Sequence, residues 1–453
     1  MEKRQTVNFW KRSQPQPGKS QELAPLVRNW EQRMFALLTQ QNSVRFSVAD
    51  KVRASQVFVF RLLLHNPNDL GKVLAMAERI GLALGTDSPR IVRQQSVVEV
   101  QIPLSSDLHR VLTLHSIKDR RDGLWVTLGQ TPAGKNVNVD LSSPNYCHAL
   151  IAGTSGSGKT VAQNLVAWSL AMGNSPDDVM LLLIDGKGGV DWWGFREVAH
   201  LGHAVIGEPS EAVGALTWVV KEIGERGSSG QIEPRIFVVV DEVYKLLEAK
   251  GDVIARLIQQ ITALGRSVGV HLIAATQYPL VDAIGGGLVK ANLPFRLTGR
   301  VLNSQHANIA TGVKNSGAEK LLGRGDCLVN GEHRVQVALI QNRDFGLLPR
   351  RHNGVPQIDF ASLDPDRVLS VAAGNGGNRD SVYTEPIVRS SNIPDPFEPE
   401  QVAWAVANGA GIGTLKRRFG IGSTKATRLR QFAAEMLVEW QRIGYEVRPT
   451  VPA

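Results

Sequence analysis

One eight-residue string constrains this chain more than any other. Gly153-Thr154-Ser155-Gly156-Ser157-Gly158-Lys159-Thr160 fits G-x-x-x-x-G-K-[ST] at every position. It directly follows the apolar run 148–152 and opens a helical stretch, 161–172, with Val161, Leu165, Val166, Trp168, Leu170 and Ala171 at helical spacing. Glycine and serine let a backbone wrap closely around phosphates, with amide N–H groups turned inward as donors. The start of the following helix adds partial positive charge. In such a loop Lys159 reaches the β- and γ-phosphates of ATP, and the Thr160 hydroxyl ligates Mg²⁺. Strand, loop and helix in this order predict an α/β fold.

The rest of the middle of the chain agrees. Short apolar runs at 148–152, 179–184, 236–240, 271–275 and 327–329 alternate with helical lengths. That pattern predicts βαβ units and a largely parallel sheet, whose ligands bind beyond the carboxyl ends of the strands. The residues at those ends are therefore the candidates. Asp241 and Glu242 close the run 236–240: Asp241 supplies the acid that a phosphate loop needs beside its Mg²⁺, and Glu242 is placed to orient or deprotonate water. Asp185 closes 179–184 and reads equally as a turn residue. Gln277, after 271–275, reads either as a γ-phosphate sensor or as a turn amide.

Length and charge bound the remainder. At 453 residues the chain is too long for one ordinary domain. No apolar run approaches the roughly 20 residues that cross a bilayer, and the first residues carry no apolar secretory core. Two cysteines, Cys147 and Cys327, exclude a disulfide scaffold and a cysteine-rich zinc module, and fit a reducing cytoplasm. The formal charge of +9 calls for a polyanionic partner.

Residues 1–46 read as a basic flexible segment, with Lys3, Arg4, Lys11, Arg12 and Lys19 against Glu2 among the first twenty. Residues 47–120 read as a small α/β module, 121–345 as the phosphate-loop domain, and 346–400 as a Gly/Pro-rich linker. Residues 401–453 form a basic helical block in which two stretches, 412–419 and 423–432, are joined by Gly420-Ile421-Gly422. That is helix-turn-helix spacing, with Ser423 or Thr424 as cap and Lys425, Arg428 and Arg430 turned to DNA.

Longer strings carry a family resemblance. Leu264-Gly265-Arg266-Ser267-Val268-Gly269-Val270-His271-Leu272-Ile273-Ala274-Ala275-Thr276-Gln277, then Val289-Lys290-Ala291-Asn292-Leu293-Pro294-Phe295-Arg296, then Gly317-Ala318-Glu319-Lys320-Leu321-Leu322-Gly323-Arg324-Gly325-Asp326 resemble the FtsK/SpoIIIE DNA translocases in the same order. The string from Ile412 to Leu429 is similar to that family's C-terminal winged-helix domain. The resemblance implies a RecA-like P-loop motor that assembles as a homo-hexameric ring around double-stranded DNA, with ATP and Mg²⁺ between subunits. Arg266 falls at the position of an arginine that completes a neighbour's site, with Arg300 the lesser candidate. Lys290 and Arg300 are implied to face DNA in the ring, and Thr424, Arg428 and Gln431 to face bases.

The chain departs from the family at Tyr278, where arginine is common, at Ser304 and Asn308, where basic residues are common, and by an extra residue within 285–287. It has no membrane-spanning N-terminal segment, so a cytoplasmic protein is expected, one that reaches any membrane, recombination or partition machinery through a partner. The resulting expectation is ATP-dependent translocation on double-stranded DNA, in DNA transfer, partition or segregation. Two alternatives stay open: an ATP-switched, sequence-specific replication or partition factor, and a single-strand conjugation or packaging motor.

Overall fold

The computed structural model describes residues 20–374, apart from residues 88, 119–120, 282–283, 352–353 and 361. The chain divides into two compact units, Met1–Ala373 and Gly374–Ala453, and the fold below is that of the first. The winged-helix expectation for 401–453 lies outside the described residues, with Thr424, Lys425, Arg428 and Gln431.

Helix α1 (Ser20–Phe35) is the first element of the described residues. A four-stranded antiparallel sheet follows, built from β1 (Phe46–Arg53), β2 (Val57–Leu64), β3 (Arg90–Gln94) and β4 (Val97–Pro103) in the order β1-β2-β4-β3. Two short helices, α2 (Leu70–Leu74) and α3 (Ala77–Leu84), bridge β2 and β3. The reading of 1–46 as a flexible segment is corrected from Ser20 onward. Leu23, Trp30, Met34 and Leu38 form a helical stripe buried in one cluster with Phe58, Phe60, Ile80 and Val100. The Trp30 Nε1–H donates to the Leu84 carbonyl at 3.2 Å. Each such side chain, fully buried, contributes about 1.5–3 kcal/mol, so the stripe fixes the helix to the module.

The second sheet holds nine strands: β5 (Trp125–Gln130), β6 (Asn136–Asp140), β7 (Ala149–Ala152), β8 (Val179–Asp185), β9 (Arg235–Asp241), β10 (Val270–Thr276), β11 (Phe295–Thr298), β12 (Asp326–Val329) and β13 (His333–Val337). Their order is β6-β5-β13-β12-β11-β7-β10-β9-β8. Only the run β11-β7-β10-β9-β8 is parallel; β12, β13, β5 and β6 continue the sheet antiparallel. The expected largely parallel sheet is thus a mixed one. Three apolar residues at 327–329 carry no sign of strand direction, and within the antiparallel half β5–β6 and β12–β13 are tight hairpins that need no crossover helix.

The parallel half is apolar on both faces. Leu181, Leu183, Phe237 and Val239 pack on one side against α4 (Lys159–Gly173). Their neighbours Leu182, Ile184, Val238 and Val240 pack on the other against α5 (Pro209–Ser229) and α6 (Val243–Leu264). Period-two alternation sends adjacent residues to opposite layers. The expected linker over 346–400 begins later than the sequence suggests: Phe360 and Leu369, the latter in a helix over Pro365–Gly374, are buried in this second layer. Among the described residues no helix is long and apolar enough to cross a membrane.

Candidate active site at the carboxyl rim of the parallel strands

The loop 153–160 leaves β7 and enters α4 as the motif requires. Gly153, Gly156 and Gly158 have φ of 156°, 76° and 103°, where a side chain is costly. A Cβ on Gly158 would lie 2.5 Å from the Gly325 nitrogen, and one on Gly153 would lie 2.5 Å from Ser157 Oγ. The loop is tied down from outside. Thr154 donates its N–H and its hydroxyl to the Arg300 carbonyl at 2.8 and 3.0 Å, and Gly153 N–H donates to the Thr276 carbonyl at 3.2 Å.

Lys159, at the first position of α4, is buried between two carboxylates. Its Nζ lies 2.5 Å from Asp241 Oδ1 and 2.9 Å from Glu242 Oε1. Asp241 is the last residue of β9, and Glu242 follows in the left-handed region at φ 53°. That strained backbone turns the Glu242 side chain toward Gln277, whose amide donates to Oε1 at 2.5 Å and whose backbone N–H donates to Oε2 at 3.2 Å. Lys159, Asp241, Glu242 and Gln277, read separately in the sequence, therefore meet on one rim.

A further cation joins them that the sequence reading missed. Lys187 Nζ stands 3.3 Å from both Asp241 Oδ2 and Glu242 Oε1 and 3.6 Å from Asp191 Oδ2. Its only local signal is the turn Gly186-Lys187-Gly188-Gly189 after a strand-end acid. Asp185 pairs directly with Asp241 across β8 and β9, and its buried Oδ1 accepts the Lys187 N–H at 2.8 Å. Asp185 thus holds the Lys187 turn, as the turn-residue reading has it.

The electrostatics follow from these contacts. Burial pushes the Glu242 carboxyl up, but Lys159, the Gln277 hydrogen bond and Lys187 outweigh it and hold Glu242 below the usual carboxylate range. Burial pulls the Lys187 ammonium down, yet Asp241, Glu242 and Asp191 raise it above its ordinary value. Burial leaves Asp191 raised. The rim thus carries an ionised base beside two ammonium groups.

The residues present suit a magnesium nucleotide. Ser157 Oγ is buried within the loop without a hydrogen-bond partner in the protein, a polar atom of the kind a ligand satisfies. Thr160 stands half-buried one residue beyond Lys159, and Asp241 offers a hard oxygen on the same rim.

The remaining candidates are not gathered there. Arg266 is exposed in a short turn of helix, Gly265–Val268, at the amino end of β10, opposite the rim. Lys290 is half-buried in α7 (Gly287–Ala291), where its carbonyl accepts from Arg296 at 2.8 Å; burial, then Arg296, lowers its pKa. Arg300 has its side chain exposed and its carbonyl on the phosphate loop.

A phosphate loop facing strand-end carboxylates at the carboxyl rim of a parallel run of strands defines a P-loop nucleotide-binding fold. Residues 107–231 match the model of the FtsK/SpoIIIE family. The DNA translocase FtsK of Lactiplantibacillus plantarum is 31% identical over 406 residues, covering 80% of this chain and 48% of that protein. FtsK of Leptospira interrogans is 29% identical over 419 residues, covering 84% and 42%, and the DNA translocase SftA of Bacillus subtilis is 29% identical over 437 residues, covering 88% and 43%. The chain spans about half the length of these curated relatives or less. Among solved structures, the pCW3 conjugation coupling protein TcpA, in a monomer form with ATPgS, aligns with a TM-score of 0.47 at 21% identity, covering 76% of this chain and 99% of that one. The chain is thus similar to the FtsK and SftA DNA translocases over 80–88% of its own length, and its residues 107–231 match the FtsK/SpoIIIE family model.

Proposed function

We propose that this chain is an ATP-driven translocase of double-stranded DNA that works as a homo-hexameric ring in DNA transfer, partition or segregation. The observation that carries the reading is the single rim on which Lys159, Asp241, Glu242 and Gln277 converge against the phosphate loop. The relatives' names, all DNA translocases, supply the substrate class.

In this reading the amides of residues 153–160 cradle the phosphates of ATP, and the Lys159 ammonium moves from the carboxylates to the phosphate oxygens. Thr160 and Asp241 would hold Mg²⁺, which would neutralise phosphate charge. Glu242, kept ionised, orients the attacking water and accepts its proton. Gln277 holds both oxygens of that base and begins the segment that leads to Lys290. A change in Glu242 during turnover is thus passed to a DNA-facing surface that includes Lys290 and Arg300. Arg266, remote from its own rim, acts on the rim of the next subunit. The basic C-terminal block loads the ring, with Thr424, Lys425, Arg428 and Gln431 at the DNA. The protein acts in the cytoplasm, through a membrane-associated, recombination or partition partner.

The test is ATP turnover with and without long linear duplex, alongside displacement of a triplex-forming strand. Stimulation by duplex with strand displacement is expected. A chain that stays monomeric on duplex with nucleotide present, and turns over no faster than without DNA, overturns the proposal.

A further inference from the structure

The phosphate loop is braced by a turn that belongs to neither strand β7 nor helix α4. Gly323, Arg324 and Gly325 take three successive left-handed conformations, with φ of 78°, 53° and 87°. For Arg324 that conformation is sparsely populated and persists only where its surroundings enforce it. On one side the turn grips the phosphate loop: Arg324 N–H donates to the Gly156 carbonyl at 2.8 Å, and Gly325 N–H donates to the Ser157 carbonyl at 2.7 Å. Gly158 leaves no room between the two for even a methyl group.

On its other side the turn is held by two glutamines. Gln336, in β13, donates its amide to the Arg324 carbonyl at 2.9 Å. Gln56 comes from the small sheet, in the turn between β1 and β2. Its Nε2 donates to the Gly323 carbonyl at 3.0 Å, to the Arg324 carbonyl at 3.3 Å and to Gln336 Oε1 at 2.7 Å. Gln56 is only 5% exposed, and its own carbonyl accepts the Leu104 N–H at 2.9 Å, so its backbone is fixed to the small sheet. A continuous path therefore runs from the small module through Gln56 and the 323–325 turn to the carbonyls of Gly156 and Ser157.

We infer that Gln56 is a positioning residue: through this turn the small N-terminal module sets the shape of the phosphate loop, and with it the affinity for nucleotide. The inference rests on the reading of 153–160 as the ATP site and gives that site a control point in another module. Removing the Gln56 donor leaves the Gly323 carbonyl with the Asp326 N–H at 3.1 Å and the Arg324 carbonyl with the Gln336 amide at 2.9 Å, and takes from Gln336 Oε1 the donor that orients it, a loss an apolar group cannot replace. The turn is then free to relax away from the loop it shapes.

The experiment titrates the full chain with ATP and Mg²⁺, and compares it with Gln56→Met, which keeps length and loses the donor. The expected result is ATP binding weaker by about tenfold, equivalent to about 1.4 kcal/mol. KM should rise in step while kcat at saturation is retained, the signature of lost binding common to ground and transition states. A merely structural role would lower the melting temperature without nucleotide and leave the affinity of the folded protein unmoved. Gln336→Met approaches the same turn from the motor side and should weaken binding in the same sense; it carries the test should Gln56→Met fail to fold. Wild-type chain that binds no ATP overturns the site reading and this inference together. Wild-type chain that binds ATP while the folded Met variants bind as tightly overturns this inference alone.

Discussion

Gln277 grips both carboxylate oxygens of Glu242, its side-chain amide on Oε1 at 2.5 Å and its backbone N–H on Oε2 at 3.2 Å. The residue that follows one strand thereby fixes the base that follows the neighbouring strand. Glu242→Gln keeps the size and removes the charge, so ATP should still bind while turnover falls about 10²–10⁴-fold. Gln277→Ala should lose less, because it frees the base without removing it. Phosphate release at saturating ATP measures both, and undiminished turnover in Glu242→Gln would remove Glu242 from the chemistry.

Arg266 is exposed at the amino end of β10, while the rim lies at the carboxyl ends. Arg266→Ala should therefore bind ATP normally and turn over slowly. Mixed with Lys159→Ala, which should not turn over at all, it should regain activity, since each subunit then supplies what the other lacks. Full activity of Arg266→Ala alone would exclude a role across the subunit boundary.

Gly158 has φ of 103° and faces Gly325 so closely that a Cβ would stand 2.5 Å from its nitrogen. Gly158→Ala should abolish nucleotide binding and cost about 1–3 kcal/mol of stability through backbone strain. Urea unfolding and ATP titration check the two halves, and wild-type affinity would show that the loop tolerates displacement.

Arg334 makes a bidentate pair with Asp326, both contacts at 2.7 Å, and donates to Gln101 of the small sheet at 3.1 Å. Both partners are buried. Arg334→Ala leaves Asp326 buried without its cation and should cost about 3–5 kcal/mol in urea unfolding. Arg334→Met removes the charge but keeps volume, and should destabilise less.

His271 lies 4.6 Å from Phe237, ring on ring, and burial, only partly offset by its hydrogen bond to the Cys147 carbonyl, drives its pKa down to about 4. The folded value lies below the ordinary 6.5, so on acidification the unfolded chain takes the proton first. Stability present above about pH 6.5 is then lost progressively as pH falls to about 4, by about 3 kcal/mol in all. Urea midpoints at about pH 7 and pH 4.5 should diverge more for the wild type than for His271→Phe; equal divergence would remove His271 as the cause.

Much of the candidate site is legible in the sequence because its parts are local. An apolar strand, a glycine loop and a helix each announce themselves within a few residues, and parallel strands carry their final residues to one rim. That is why Lys159, Asp241, Glu242 and Gln277 are recoverable one at a time. Lys187 escapes such a reading, since its place at the rim depends on the register that sets Asp185 beside Asp241. The docking of α1 escapes it too: a basic, Pro-containing start hides a helix whose stripe has meaning only against Phe58 and Phe60.

The amino-acid order alone determined the phosphate loop, the apolar parallel strands and the acids at their ends, since these follow from backbone freedom and short-range periodicity. Tertiary structure alone decided that the sheet is half antiparallel, that Arg266 stands away from its own rim, and that Gln56 reaches the Gly323–Gly325 turn from another module. Those facts depend on contacts between residues far apart in the chain, up to 280 positions for Gln56 and Gln336, where no local pattern records which partner is met.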